Sequence, residues 1–148
     1  MPARLRGGKK LKRFIRQARR AQAQSVKHVE VGFYSTAKYD DGTPVTLVAA
    51  ANEFGMDVPE RPFFRKAISS APKVLTPVLK ANINPKNMVF DARVAGLMGA
   101  VMTGHIQYTL TELRDPPNAP ATIKAKRSSN PLIDTGRLRS SVTWRIEH

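Results

Sequence analysis

The residues of this chain able to do chemistry are few and scattered. Its three histidines are His28, His105 and His148, and none has a partner at the short spacing that metal sites use. His105 falls within an expected helix and reads as a packed or surface side chain. Asp40-Asp41 offers two carboxylates for a cation, but Tyr39-Asp40-Asp41-Gly42-Thr43-Pro44 is turn chemistry. Gly42 accepts a positive φ there, and Pro44 opens the next element. Gly7-Gly8-Lys9-Lys10 lacks the spacing with which a glycine-rich loop wraps a phosphate. Ser140 and Ser141 have no histidine nearby in the chain, although catalytic groups can converge from distant positions. There is no cysteine, which excludes disulfides and thiolate metal ligands. These patterns predict no catalytic residue, no cofactor and no metal: a protein that is not an enzyme.

Charge is the second signal. The formal net charge is +14 over 148 residues. Residues 1–27 hold ten of the 25 Lys and Arg and none of the acids. The excess is therefore an N-terminal property, of the kind drawn to nucleic acid, an anionic membrane or an acidic protein surface. From Lys9 to Gln24 the spacing predicts a helix. Leu11, Phe14, Ile15, Ala18 and Ala21 fall on one arc, and Lys9, Lys12, Arg13, Arg16, Arg19 and Arg20 on the opposite one. Six cations without an interleaved acid repel one another unless something anionic lies near. A merely solvated face is the plainer alternative.

The elements that would position any site follow from periodicity and breakers. Val29 to Tyr34 alternates and reads as a strand. Val45 to Phe54 reads as a short helix stopped by Gly55. Met56 to Pro62 is a loop or short edge strand. Phe63 to about Ile83 is helical, with Pro72 and Pro77 expected to interrupt or kink it. Asn84-Pro85 looks like a cap followed by a first helical residue, so a long helix is expected from Pro85 to about Leu113. Gly96, Gly99 and Gly104 lie inside it. Each costs about 0.5–1 kcal/mol against alanine, which implies close packing of backbone in a central core helix, or else a face turned to a neighbouring subunit. Asp115-Pro116-Pro117-Asn118-Ala119-Pro120 ends it. Ala121 to Arg127 adds a basic helical turn, and Ser128 to Pro131 is loop. Thr135 to Ser140 is a short turn or helix capped by Asp134, and Ser141 to Glu147 is a strand.

Between the second and third helices, Glu53-Phe54-Gly55 and Arg61-Pro62-Phe63-Phe64 form a corner. Gly55 and Pro59 turn the chain back and bring aromatic rings toward the core, with Arg61 within reach of Glu53 or another acid. This reading is structural.

The order of several pieces resembles a known family. Val-Gly-Phe-Tyr is followed by Tyr-Asp-Asp-Gly-Thr-Pro-Val, Ala-Ala-Asn-Glu-Phe-Gly and Pro-Glu-Arg-Pro-Phe-Phe-Arg. Asp-Pro-Pro-Asn-Ala-Pro-Ala-Thr-Ile and Pro-Leu-Ile-Asp-Thr-Gly-Arg-Leu come next, so that the pattern spans residues 29–146. It is similar to the neck and tail-completion proteins of long-tailed double-stranded DNA bacteriophages. The resemblance implies a structural virion protein in the ring stack that joins a DNA-filled head to a tail. It implies a homo-oligomeric ring of six or twelve copies, made in the host bacterial cytoplasm and residing in the virion neck. Adjacent head-connector or head-closure proteins and tail-terminator proteins would be its partners, with non-specific contact to genomic double-stranded DNA. Its motif residues here are Glu53, Phe54, Gly55, Arg61, Pro62, Phe63, Phe64, Asp134, Thr135, Gly136, Arg137 and Leu138, all in structural roles.

The expected organisation is a basic N-terminal arm and helix over residues 1–27 and one α+β domain over residues 28–148. In it a small, mostly antiparallel sheet is packed by the long central helix. No run approaches the roughly 18 apolar residues of a membrane span, and no membrane partner is expected. The alternative function is a non-specific nucleic-acid-binding protein acting through the basic helix.

Overall fold

The computed structural model describes residues 8–23, 26–84, 89–126 and 129–147, and for Lys10, Leu11, Ala18 and residues 20–23 it describes the backbone alone. In chain order the elements are α1 (Lys9–Ala23), β1 (His28–Gly32), α2 (Val45–Phe54), α3 (Phe63–Asn82), α4 (Ala92–Glu112), α5 (Pro120–Lys126), α6 (Arg137–Ser140) and β2 (Thr143–Glu147). The architecture is α+β: a two-stranded antiparallel sheet with the long helix α4 packed on it. No helix among the described residues is long and apolar enough to cross a membrane.

The strand pair joins the two ends of the domain. His28 stands opposite Glu147, Val29 opposite Ile146, Glu30 opposite Arg145, Val31 opposite Trp144 and Gly32 opposite Thr143. Because side chains alternate along a strand, this register puts Val29, Val31, Trp144 and Ile146 on one face. His28, Glu30, Arg145 and Glu147 share the other. An isolated strand pair is marginal in water; here both strands lie on α4, and α3 packs along the same helix.

The core is built around α4. Met102, Ile106 and Leu110 cluster with Val45 and Ala49 of α2, Phe63 and Ala67 of α3, and Leu132, Leu138 and Val142 from the C-terminal segment. Phe63 is 1% exposed. Its ring meets Phe33 edge-on at 6.0 Å and Phe64 edge-on at 6.3 Å, the geometry that aromatic quadrupoles favour.

Several boundaries differ from expectation. The first strand stops at Gly32, leaving Phe33 and Tyr34 outside it, and the last begins at Thr143 and not at Ser141. The long helix starts at Ala92, seven residues after Pro85. Its cap is Asp91, whose carboxylate accepts from Val94 N at 2.9 Å. The expected start at Pro85 lies outside the described residues. The third helix runs unbroken through Pro72 and Pro77. Both prolines are exposed, so the carbonyls of Ile68 and Lys73 that lose an amide donor can take one from water. Met56 to Pro62 is loop, one of the two expected forms.

Candidate functional site

The corner between α2 and α3 is the most densely hydrogen-bonded part of the expected motif. Gly55, at φ 71° and ψ 38°, closes α2 in the left-handed conformation. A Cβ there would also lie 3.0 Å from Glu60 Cβ. The last turn of α2 then serves α3. Glu53, buried, accepts from the backbone N–H of Phe64 at 2.8 Å and of Arg65 at 3.0 Å. These are donors that a helix start leaves without a partner, and the helix dipole favours a negative charge at that point. Arg65 Nε closes on Glu53 at 2.8 Å, and the Arg65 guanidinium also reaches Glu60. Those hydrogen bonds, Glu53 first and Glu60 second, raise the Arg65 pKa above its ordinary value.

Arg61 does not pair with Glu53, contrary to expectation. It is 3% exposed, and burial lowers its pKa. Its Nε donates to Pro116 O at 2.9 Å, and its Nη2 to Asn118 Oδ1 at 3.1 Å and Pro117 O at 3.4 Å. Its Nη1 donates to Asn52 Oδ1 at 3.2 Å. Uncharged oxygens therefore surround this cation, and they tie the α2–α3 corner to the Asp115–Ala119 loop. Glu53 is already engaged by α3, which is why the expected ion pair does not form. Pro62 stands as the residue before α3, and Phe63 and Phe64 follow as its first turn. Phe54 points the other way: it is 64% exposed, under the Arg65 guanidinium at 5.5 Å.

The Asp134–Leu138 element docks on the same core from the C-terminal side. Leu138 is buried in the cluster. Arg137 Nε donates to Lys38 O at 2.9 Å, fastening α6 to the loop after β1. Asp134 is not the cap. Gly136, at φ 77°, occupies that place, and Thr135 Oγ1 accepts from Arg137 N at 3.3 Å. The Asp134 carboxylate is exposed beside Tyr39, whose pKa is raised first by burial and then by Asp134. The Asp40-Asp41 turn forms as expected, with Thr43 N donating to Asp41 Oδ1 at 2.9 Å.

The basic face lies apart from this constellation. Lys9, Lys12, Arg13, Arg16 and Arg19 are exposed on α1. The side chain of Arg20, like those of Leu11, Ala18 and Ala21, lies outside what is described. Among the described residues no element packs substantially on α1.

Two groupings arise that spacing could not reveal. Strand register brings His28, Glu30 and Glu147 together, with ligand atoms within 4.8 Å of one another. Arg145 already sits among them, at 2.6 Å from Glu30 and 3.8 Å from Glu147. The cluster is therefore an exposed ion-pair ladder, with a guanidinium where a cation would go. The signal was present in the period-2 placement of His28 and Glu30, but the partner strand's register was not. Second, Ser70 Oγ lies 2.8 Å from His105 Nε2. No acid orients the other ring nitrogen among the described residues, and the contact ties α3 to α4.

Comparison with protein-family models, curated proteins and solved structures finds no match to this chain.

Proposed function

We propose that this protein is a structural subunit of a bacteriophage neck, one copy in a homo-oligomeric ring that joins a DNA-filled head to a tail. Support comes from the motif order and from the separation of two surfaces. The motif residues knit a compact corner and a C-terminal clasp into one core, while among the described residues no element packs substantially on the basic helix, whose Lys9, Lys12, Arg13, Arg16 and Arg19 are exposed. The separation carries the reading: a packed body suited to ring contacts, and a cationic appendage suited to phosphate or to an acidic neighbour. In a ring threaded by DNA, Arg13, Arg16 and Arg20 act on phosphate charge without reading bases.

The second reading is a non-specific nucleic-acid-binding protein that works alone, and the exposed cations of α1 favour it equally. Electron microscopy of virions and of the purified protein separates the two. Rings in the purified material, or the protein located at the head–tail junction, support the neck subunit. A strict monomer absent from particles, whose DNA binding vanishes with salt, sinks it in favour of the second reading.

A further inference from the structure

Two unpartnered surfaces of this chain are complementary to each other. The first is α1. Its apolar arc carries Phe14, 67% exposed, on a helix that among the described residues has no substantial packing against another element. The second is the outer side of α2 and the corner after it. Leu47, Phe54, Met56 and Val58 are all exposed there, and Phe54 also forms the lip of an apolar groove with Phe33, Ala50 and Phe64. Four large apolar side chains exposed within twelve residues are more than the scattered surface leucines of an ordinary monomer.

Charge identifies the occupant. Residues 40–60 hold five of the eleven acids, Asp40, Asp41, Glu53, Asp57 and Glu60, and no Lys, Arg or His. Arg65 engages Glu53 and Glu60, whereas Asp40, Asp41 and Asp57 make no ion pair among the described residues. Residues 1–27 are the mirror image, with ten cations and no acid. Asp40 and Asp41 precede the far end of α2, and Arg65 offsets Glu53 and Glu60, so Asp57 is the unpaired acid of the corner, beside an apolar surface that a basic helix with an apolar arc fits. Among the described residues of one chain α1 makes no substantial contact with α2.

We propose that α1 of one copy docks its apolar arc on the α2 corner of the next copy. Phe14 and Ile15 lie against Leu47, Phe54 and Met56. On the helical wheel Lys12 and Arg19 border the apolar arc, and they face Asp57. Arg13, Arg16 and Arg20 centre on the opposite side and stay free for an outside anion. The contact joins two different patches, so it repeats head to tail and generates a ring when the rotation closes. It deepens the neck-subunit reading and rests on it for closure, not for the contact itself.

The absence of cysteine in the chain makes the test clean. F14C and F54C are prepared separately, both at exposed positions, then mixed and oxidised. The expected product is the F14C–F54C heterodimer well above the 1:2:1 ratio that random pairing of an equimolar mixture gives. The doubly substituted chain gives a ladder of dimers, trimers and larger species. A doubly substituted chain that closes at monomer mass overturns the proposal, as do F14C homodimers in excess, or no cross-link at concentrations where sedimentation detects oligomers. A protein that sediments as monomer at every concentration overturns it as well. K12E/R19E should lower the heterodimer yield severalfold and D57K should restore part of it; an unchanged yield overturns the charge pairing. Cross-linking heterodimers from a protein absent from the neck of particles would keep the contact and reject the neck reading.

Discussion

Gly99 lies directly against the indole of Trp144: a Cβ at Gly99 would stand 2.6 Å from Trp144 Cδ2 and 2.8 Å from its Cγ. Trp144 faces Val31 across the strand pair, so this contact seats the sheet on α4. Gly96 supports the far end of the same ring, with a Cβ there at ordinary contact distance from Trp144 Cη2, 3.4 Å. Gly104 meets nothing within 4 Å. The three internal glycines of α4 therefore do different things. G99A should destabilise by about 1–3 kcal/mol through overpacking, despite better helix propensity. G104A should stabilise by about 0.5–1 kcal/mol. Thermal melts of the two variants check both signs, and W144A should remove most of the cost of G99A.

The aromatic corner gives a graded expectation. Phe63 is fully enclosed, whereas Phe64 is half-buried beneath Phe33. F63A should cost roughly 3–5 kcal/mol, the usual range for an emptied aromatic site. F64A should cost about half as much, because less of its surface leaves water on folding. Denaturant titrations measure both; equal small losses would place the core elsewhere.

Much of the fold was legible because its signals are local. The α2 span and its Gly55 stop follow from an apolar run ending in the residue that tolerates a left-handed turn. The start of α4 was misplaced because Asn84-Pro85 and Asp91 are both valid caps, and only tertiary structure chooses. The role of Glu53 was not legible. Capping α3 from another helix depends on how the corner folds, not on spacing. Three of the four oxygens that Arg61 engages lie 55 to 57 residues away in the Pro116–Asn118 loop, beyond any local pattern. The ladder of His28, Glu30, Arg145 and Glu147 likewise depends on strand register, which the sequence leaves open when both strands are short.

Arg61 should be intolerant of lysine. Its planar fork serves Asn52 and the Pro116–Asn118 loop together, and a single ammonium cannot reproduce that geometry. R61K should destabilise by about 1–3 kcal/mol, the cost of leaving half-buried acceptors without donors around a buried cation. The partners are carbonyl oxygens, so no carboxylate titration changes the loss. The difference from wild type should stay flat between about pH 4 and pH 8, where a carboxylate partner would instead make it shrink on acidification. Urea melts across that range are the measurement, and a loss that fades in acid would restore the expected Arg61–Glu53 pair.

The basic face of α1 can be tested apart from its apolar arc. Arg13, Arg16 and Arg20 lie opposite Phe14 and Ile15 on the helical wheel. Changing all three to Gln leaves helix propensity nearly unaltered and leaves Lys12 and Arg19 in place. If these cations meet DNA, non-specific affinity should fall, and the log-log salt slope should flatten by up to about 0.9 for each phosphate no longer neutralised. The cross-link between Phe14→Cys and Phe54→Cys partners should persist in the same background, because the docking arc is untouched. On the proposed neck reading, head–tail joining would then fail because DNA is no longer held, while the proposed contact between copies persists. If DNA affinity is unchanged while joining fails, the face docks on an acidic surface of an adjacent ring protein. If neither changes, Arg13, Arg16 and Arg20 form a solvated face. Mobility-shift titrations at several salt concentrations and a head–tail joining assay on the one triple variant separate these outcomes.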